Sequence, residues 1–430
     1  MGNSMNVAPK LFQKYGDTVR VGPRDIIFNG KSAIQKIIVE DDLLKTPDME
    51  LVRDDINVSS LISERDRTAY KQLRRLMSPG FSISYLKGLE PLMRDCVKEF
   101  EEVLDLKCSD SNGSVTIDIC GMLSFLTSDV MSATSFGGSF GLVRSNDSHL
   151  KDLFINRMQK TAIFGQLPFL QYIPFFPGFD PALDILVNDI IAKRRAENGS
   201  KKRDLLQIFL DANQENPLSF TEAHIVEEMR LFMIAGSDTT SMQATFAIVL
   251  LLNNEAKLKL LVEELYKAFP SRKDAITFAN TQELEYLNAV INEAMRVMPI
   301  VTSGLPRVTS DAVVLNDYEI PPGTIVGAWI SQLHKDPRIW PDAESFIPER
   351  WLHAYKGVEV DRKAFIPFSG GSRNCIGQQF ALKELRLIMA TLIRRYELEE
   401  IPGQSHELRV WVVPAFKDGK YMVRIKPRED

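Results

Sequence analysis

From Ser219 to about Asn253 the stretch "SFTEAHIVEEMRLFMIAGSDTTSMQATFAIVLLLNN" contains no proline and opens on a capping pattern, Ser219 with Glu222 three residues later. At 1.5 Å per residue such a helix spans roughly 50 Å, more than a surface helix of an ordinary domain needs. Its second half is apolar on most faces, so it has to run through a core. In its middle stand Gly236, Asp238, Thr239 and Thr240, where core residues belong. Hydroxyls bonded back to carbonyls one turn earlier would account for the threonines and bend the helix. They do not account for the acid beside them, because a buried carboxylate is costly unless partnered. The segment therefore reads as functional.

The rest of the chain sets the frame for this helix. "DTVRVG" and "DIIFNG" read as two strands joined by a Gly-Pro turn. A mostly helical stretch follows, from about Ser63 to Glu293. Strand pattern returns in "LPRVTSDAVVLNDYEIPPGTIVGAWI", and "LRVWVVPAFKDGKYMVRIKPR" reads as a final hairpin. Strands at both ends and no flexible linker argue for one interleaved domain over residues 1–430, mainly α with small β-sheets. The net charge of −5 gives no reason for nucleic-acid binding. The opening "MGNSMNVAPKLFQKYGD" holds no apolar run long enough to span a membrane or act as a signal, and Asn6 misses the myristoylation pattern.

Four cysteines, Cys96, Cys108, Cys120 and Cys375, form no CxxC pair, which points away from a zinc site or a disulfide framework. Cys375 differs from the others. It lies in "PFSGGSRNCIGQQFALKE", and the apolar residues Phe380, Leu382, Leu385, Ile388, Met389 and Leu392 that follow have helical spacing. Cys375 thus sits at or just before a helix N-terminus, where free amides and the macrodipole favour a thiolate. Gly370, Gly371 and Gly377 let the backbone turn tightly and leave room for something flat and large to approach the sulfur. A nucleophilic cysteine wants a histidine base, and none of the five histidines carries a signature tying it to Cys375. A phosphate loop needs Gly-Lys-Ser/Thr, which is absent. A single thiolate ligand to haem iron fits what remains.

"FSGGSRNCIG" matches Phe-x-x-Gly-x-Arg-x-Cys-x-Gly in full and resembles the haem-binding loop of the cytochromes P-450, the haem-thiolate monooxygenases. "AGSDTT" resembles the oxygen-activating motif of that family's long central helix. "EAMR" (Glu293 to Arg296) resembles its Glu-x-x-Arg, and "FIPERW" (Phe346 to Trp351) its Pro-Glu-Arg segment. A lone Glu-x-x-Arg carries no signal, since i,i+3 acid–base pairs are common on helices. Four motifs in order over nearly the whole chain identify it as a member.

The resemblance implies haem b as cofactor and Cys375 as its axial iron ligand, whose electron donation favours O–O cleavage. It implies that Thr239 and Asp238 deliver protons to the distal oxygen, with room made by a helix distorted at Gly236. Ala235 and Gly236 on the helix, and Phe368 and Gly377 in the loop, would line the cofactor. Glu293, Arg296 and Arg350 resemble the family's buried charged triad that holds the cysteine loop. Arg373, Arg307, His334 and Arg74 are the expected partners of the haem propionates. Tyr70 stands four residues before Arg74, where a Trp or His is usual, and a phenol could donate there instead.

The family's substrates are mostly apolar small molecules oxidised with O2, and Phe232, Ile234, Ala235, the run Pro299 to Pro306 and Trp411 are candidate pocket residues. Nothing resembles a flavin or iron–sulfur module, so electrons would come from a separate NADPH-dependent flavoprotein reductase. Arg67, Lys71, Arg74 and Arg75, with Lys383 and Arg386, would form its basic dock. "FGQLPFLQYIPFFPGF" (Phe164 to Phe179), aromatic and broken by prolines, fits interfacial membrane contact rather than a span. For the family the expected location is the cytosolic face of the endoplasmic reticulum membrane. Its members there usually begin with a spanning anchor and proline-rich hinge, whereas this sequence opens near what would be the end of the first core helix. Two rival readings are a haem-thiolate isomerase or dehydratase, which needs neither Asp238 nor Thr239, and a non-catalytic haem-binding remnant.

Overall fold

A computed structural model describes residues 4–429 apart from 54, 56, 168, 171–172, 174–177 and 198–201. The long helix runs unbroken over Glu222–Leu252. Its cap is Thr221 rather than Ser219: the Thr221 amide donates to His224 Nδ1 at 3.2 Å, and the two side chains meet at 2.8 Å. The two-residue shift has a packing cause. Phe220 is fully buried against Phe209, which holds residues 216–220 in a turn before the helix begins. Glu222 pairs instead with Arg195 at 3.0 Å.

Two helices flank this central helix along most of its length. The Ile119–Phe136 helix is buried at every position, and its Thr127 hydroxyl donates to the Ser237 carbonyl at 2.9 Å. Contact that close requires Gly236, where a Cβ would lie 2.4 Å from Met131 Sδ. The Gln378–Arg395 helix, which follows Cys375, packs on the same axis. One apolar core draws on residues from Leu61 to Ile425 and takes in all three helices.

A five-stranded sheet sits beside this helical body, with strands Thr18–Arg20, Asp25–Phe28, Ile325–Ala328, Arg307–Val308 and Leu44–Lys45 in that order. The parallel pairing of Asp25–Phe28 with Ile325–Ala328 joins the two ends of the chain, and a second apolar cluster lies beneath it. Asn316 and Asp317, both at positive φ, turn Val313–Leu315 back onto Tyr318–Ile320, as a two-residue hairpin demands. The expected terminal hairpin divides in two. Leu408–Val410 pairs with Pro414–Phe416, while Met422–Pro427 leaves to join Val115–Asp118 and Tyr396–Glu400. Val423 and Ile425 are fully buried there, which sets that register.

Candidate active site

Cys375 sits at the end of a tight loop whose turns have steric causes. Ser369 and Gly371 both take positive φ, and a Cβ on Gly371 would lie 2.7 Å from the Ile38 carbonyl oxygen. The loop closes where the Cys375 amide donates to the Phe368 carbonyl at 2.9 Å. Gly377 is the N-cap of the following helix, so the cysteine lies two residues before it. Of the four cysteines it alone is exposed. Desolvation by the surrounding protein raises its thiol pKa, against the Gly377 amide and Arg74, which lower it. The helix terminus offsets that rise only in part, where the sequence pattern favours a thiolate outright. Gly377 contributes its N–H; a Cβ there would meet the sulfur at an ordinary 3.9 Å.

Beside this loop the fold gathers cations from four separate places in the chain. Arg74, on the Arg67–Met77 helix, bonds the Asn374 carbonyl and side chain at 2.6 Å and the Tyr70 hydroxyl at 2.9 Å. Tyr70 is buried, with the Arg373 guanidinium 4.3 Å from its ring centroid. Arg307 and Lys45 are direct partners across two short antiparallel strands, which puts both side chains on one face. Burial and the neighbouring Arg373 pull Arg307 down to about 10. Burial, Arg373 and Arg307 pull Lys45 down to about 7, and the acids Glu64 and Glu228 offset this only in part. Arg373 Nε is buried without a hydrogen-bond partner, 3.7 Å from Asp42. Lys45 went unnoticed in the sequence, since a lone lysine in "LLKTPD" carries no pattern.

His334 does not join this cluster. It is fully buried, its Nε2 accepts the Ile366 amide at 3.0 Å, and its ring lies against Phe365. Burial and Arg296 push it down to about 3, so it is a neutral structural imidazole. It belongs to a second network centred on Glu293. That carboxylate accepts from Arg296 Nε and Nη2 at 2.9 and 2.7 Å, Arg350 Nε at 3.0 Å, Trp351 Nε1 at 2.9 Å and the Ile347 amide at 2.9 Å. Arg296 also donates to the carbonyls of His334, Ala343 and Ser345. Glu293 and Arg296 are entirely buried.

On the central helix, Ala235 is exposed and Thr239 partly so, and the Thr239 hydroxyl donates back to the Ala235 carbonyl at 2.6 Å. The helix is continuous at Gly236, which faces Met131, so the expected distortion is not found. Desolvation raises Asp238 to about 7, opposed by Lys151. Phe232 lies between Phe81 and Phe209 and belongs to the apolar core. Lys383 is buried over the Phe278 ring, which removes it from the expected basic surface, while Arg386 is half-buried and bonds Asn288. Much of the aromatic segment 164–179 lies outside the described residues; within it Phe164 is buried against Phe179, while Phe169 and Ile173 are exposed.

The fold is mainly helical with small sheets, and its site joins an exposed cysteine at a helix entrance to cations gathered nearby, groups able to hold a metal and an anion. The family model described as Cytochrome P450 matches residues 2–410, and the chain belongs to that family. It is 33% identical to the cytochrome P450 monooxygenase acrD of Aspergillus aculeatus, over 99% of this chain and 87% of the relative. It is equally 33% identical to the cytochrome P450 monooxygenase FUS8 of Gibberella moniliformis, over 99% and 84%. The cytochrome P450 monooxygenase LUC2 of a Fusarium species matches at 31% over the same shares. The chain is a cytochrome P450 monooxygenase, an enzyme with a haem-iron cofactor that takes O2, an organic substrate and electrons from a redox partner. The residues present fit that cofactor, because Lys45, Arg307 and Arg373 gather more positive charge than Asp42, at 3.7 Å from Arg373 Nε, offsets, which suits an anionic ligand, and the exposed thiol suits an iron.

Proposed function

We propose that the whole chain acts as one domain that inserts one oxygen atom of O2 into an apolar small molecule, with haem b held through Cys375 as axial iron ligand. The observation that carries this is the exposed Cys375, served by the Gly377 amide with Arg74 beside it, on a loop whose Arg373 belongs to the cluster with Arg307 and Lys45. Those cations, with the Tyr70 hydroxyl, hold the haem carboxylates, while Phe368, Gly377, Ala235 and Gly236 line the cofactor. When bound, haem supplies the oxygen chemistry. Asp238, held near 7 by burial, takes up and releases protons in the neutral range, and Thr239 relays them once its hydroxyl turns from the Ala235 carbonyl. The Glu293–Arg296–Arg350 network holds the segments before the cysteine loop, with no part in the chemistry.

Electrons come from an NADPH-dependent flavoprotein reductase. Its dock is the shallow concavity of about 510 Å³ lined by Tyr70, Lys71, Arg74, Arg75, Ser78, Pro79 and Ser372, on which Lys71 and Arg75 are exposed. The chain works at the cytosolic face of the endoplasmic reticulum membrane, where Phe169 and Ile173 contact lipid. Among the described residues no helix is long and apolar enough to cross a membrane.

The test is the carbon monoxide spectrum of the reduced protein. A strongly red-shifted Soret band in the wild type, lost in Cys375→Ser, is the expected result. A band at the shorter wavelength of imidazole or neutral-thiol ligation would overturn it. For the dock, Lys71→Glu with Arg75→Glu should slow reductase-driven turnover and leave peroxide-driven turnover unchanged; equal loss in both refutes it.

A further inference from the structure

We propose that Lys45 is a positioning residue that ties the Ser60–Arg65 loop to the haem carboxylates, so that cofactor retention and the seating of this loop on the central helix are coupled. The inference rests on the haem reading above and extends it to a loop that no sequence motif marks.

The loop is gripped from two sides. On one side are cations of the cluster. Lys45 Nζ donates to the Leu61 and Ile62 carbonyls, both at 2.8 Å. Arg373 donates to the Glu64 and Arg65 carbonyls at 3.0 and 3.1 Å, and Arg65 Nε returns a bond to the Lys45 carbonyl at 3.0 Å. On the other side is the central helix, whose Glu228 Oε1 accepts the Leu61 amide at 2.5 Å. Internal bonds, from the Ser60 amide to Ser63 Oγ at 2.9 Å and the Glu64 amide to the Ser60 carbonyl at 2.8 Å, brace the loop between its two anchors.

An ammonium has three donors, and two of those of Lys45 go to the loop. The third remains for an anion. Tyr70 gives the cluster a common platform, with Lys45 at 4.9 Å and Arg373 at 4.3 Å from its ring centroid. Among the described residues no carboxylate lies within hydrogen-bond range of either cation, and Asp42, an ion pair with Arg373 Nε at 3.7 Å, offsets the cluster's charge only in part. A carboxylate placed among Lys45, Arg307 and Arg373 would offset their mutual repulsion. It would keep Lys45 charged, and so strengthen both its bonds to the loop, because charge-assisted bonds are the strong ones. The drop of Lys45 to about 7 agrees with a charge that lacks its counter-ion.

The test reads two quantities on the holoenzyme: the rate at which haem passes to excess apomyoglobin, and hydrogen exchange at the amides of residues 61–65. Lys45→Met is expected to speed haem transfer roughly tenfold and to raise loop exchange by a similar factor. Lys45→Arg, which keeps the charge, should recover a large part of both. The decisive variant is Glu228→Met, at the loop's anchor on the central helix, read against Glu228→Gln, which removes the charge that acts directly on Lys45 but keeps an acceptor for the Leu61 amide. Glu228→Met should speed haem transfer severalfold in the wild-type background and add little when Lys45→Met is already present. Additive effects of the two substitutions would overturn the coupling, as would faster loop exchange in Lys45→Met with haem transfer unchanged. A wild-type protein whose absorption spectrum shows no bound haem would overturn the parent reading first, before any variant is compared.

Discussion

Two buried polar networks lie within this fold, and they are built on opposite principles. The Glu293 network sets one carboxylate against two guanidinium groups and an indole, and the spare donors of Arg296 end on backbone carbonyls. The cluster of Lys45, Arg307 and Arg373 sets cation against cation around Tyr70; its hydrogen bonds reach carbonyls of loops, and Asp42, an ion pair with Arg373 at 3.7 Å, offsets only part of its charge. A closed network stabilises the chain by itself and falls apart when one member is removed. An electrostatically open one opposes the fold slightly until an anion arrives. The contrast separates what holds the protein together from what waits for a ligand.

The comparison breaks hardest at its closed end. Glu293→Gln leaves two buried guanidinium groups without a counter-charge and should cost about 3–5 kcal/mol, read as a fall in the urea midpoint with little change in slope. Arg307→Met should do the reverse. Haem transfer to apomyoglobin quickens roughly tenfold, while the urea midpoint of the chain stays near the wild-type value, because repulsion has been removed with the charge. A large loss of stability in Arg307→Met would place it in the first kind of network. Trp351→Phe removes one donor to Glu293 and should cost about 1.5–3 kcal/mol, again without a direct effect on haem transfer.

The gentlest probe is pH. Lys45 titrates near 7 in the folded chain and near 10.5 when unfolded, so between those values the unfolded state binds more protons. Stability of the haem-free chain should therefore rise as pH goes from about 7 toward 10.5, and that part of the slope should vanish in Lys45→Met. Bound haem carboxylates should flatten it too, since they hold the ammonium charged. A slope that persists in Lys45→Met would assign it to other groups.

Legibility in the sequence followed locality. Cys375, its loop and the helix after it were readable because the turn glycine, the arginine and the helical period lie within twenty-five residues. Glu293 and Arg296 were readable as a helical i,i+3 pair, and Trp351 lay within the quoted "FIPERW", although its bond to Glu293 was not foreseen. His334 was misplaced because a histidine before Lys-Asp-Pro has no local feature telling a buried acceptor of an amide from a solvated cation. Lys383 shares a helix with apolar residues, and only packing shows that it too faces inward. The start of the central helix moved from Ser219 to Thr221 because Phe220 has a pocket to fill.

By itself the sequence determined the helical period, the turns that need positive φ, and the order of motifs that marks the chemistry, since each depends on neighbours along the chain. The tertiary structure alone decided which charges meet. Lys45 stands opposite Arg307 through the pairing of strands some 260 residues apart, and the Ser60–Arg65 loop lies between that lysine and Glu228 of the central helix. Electrostatic energy depends on distance in space and on burial, and neither is written in the local pattern of residues.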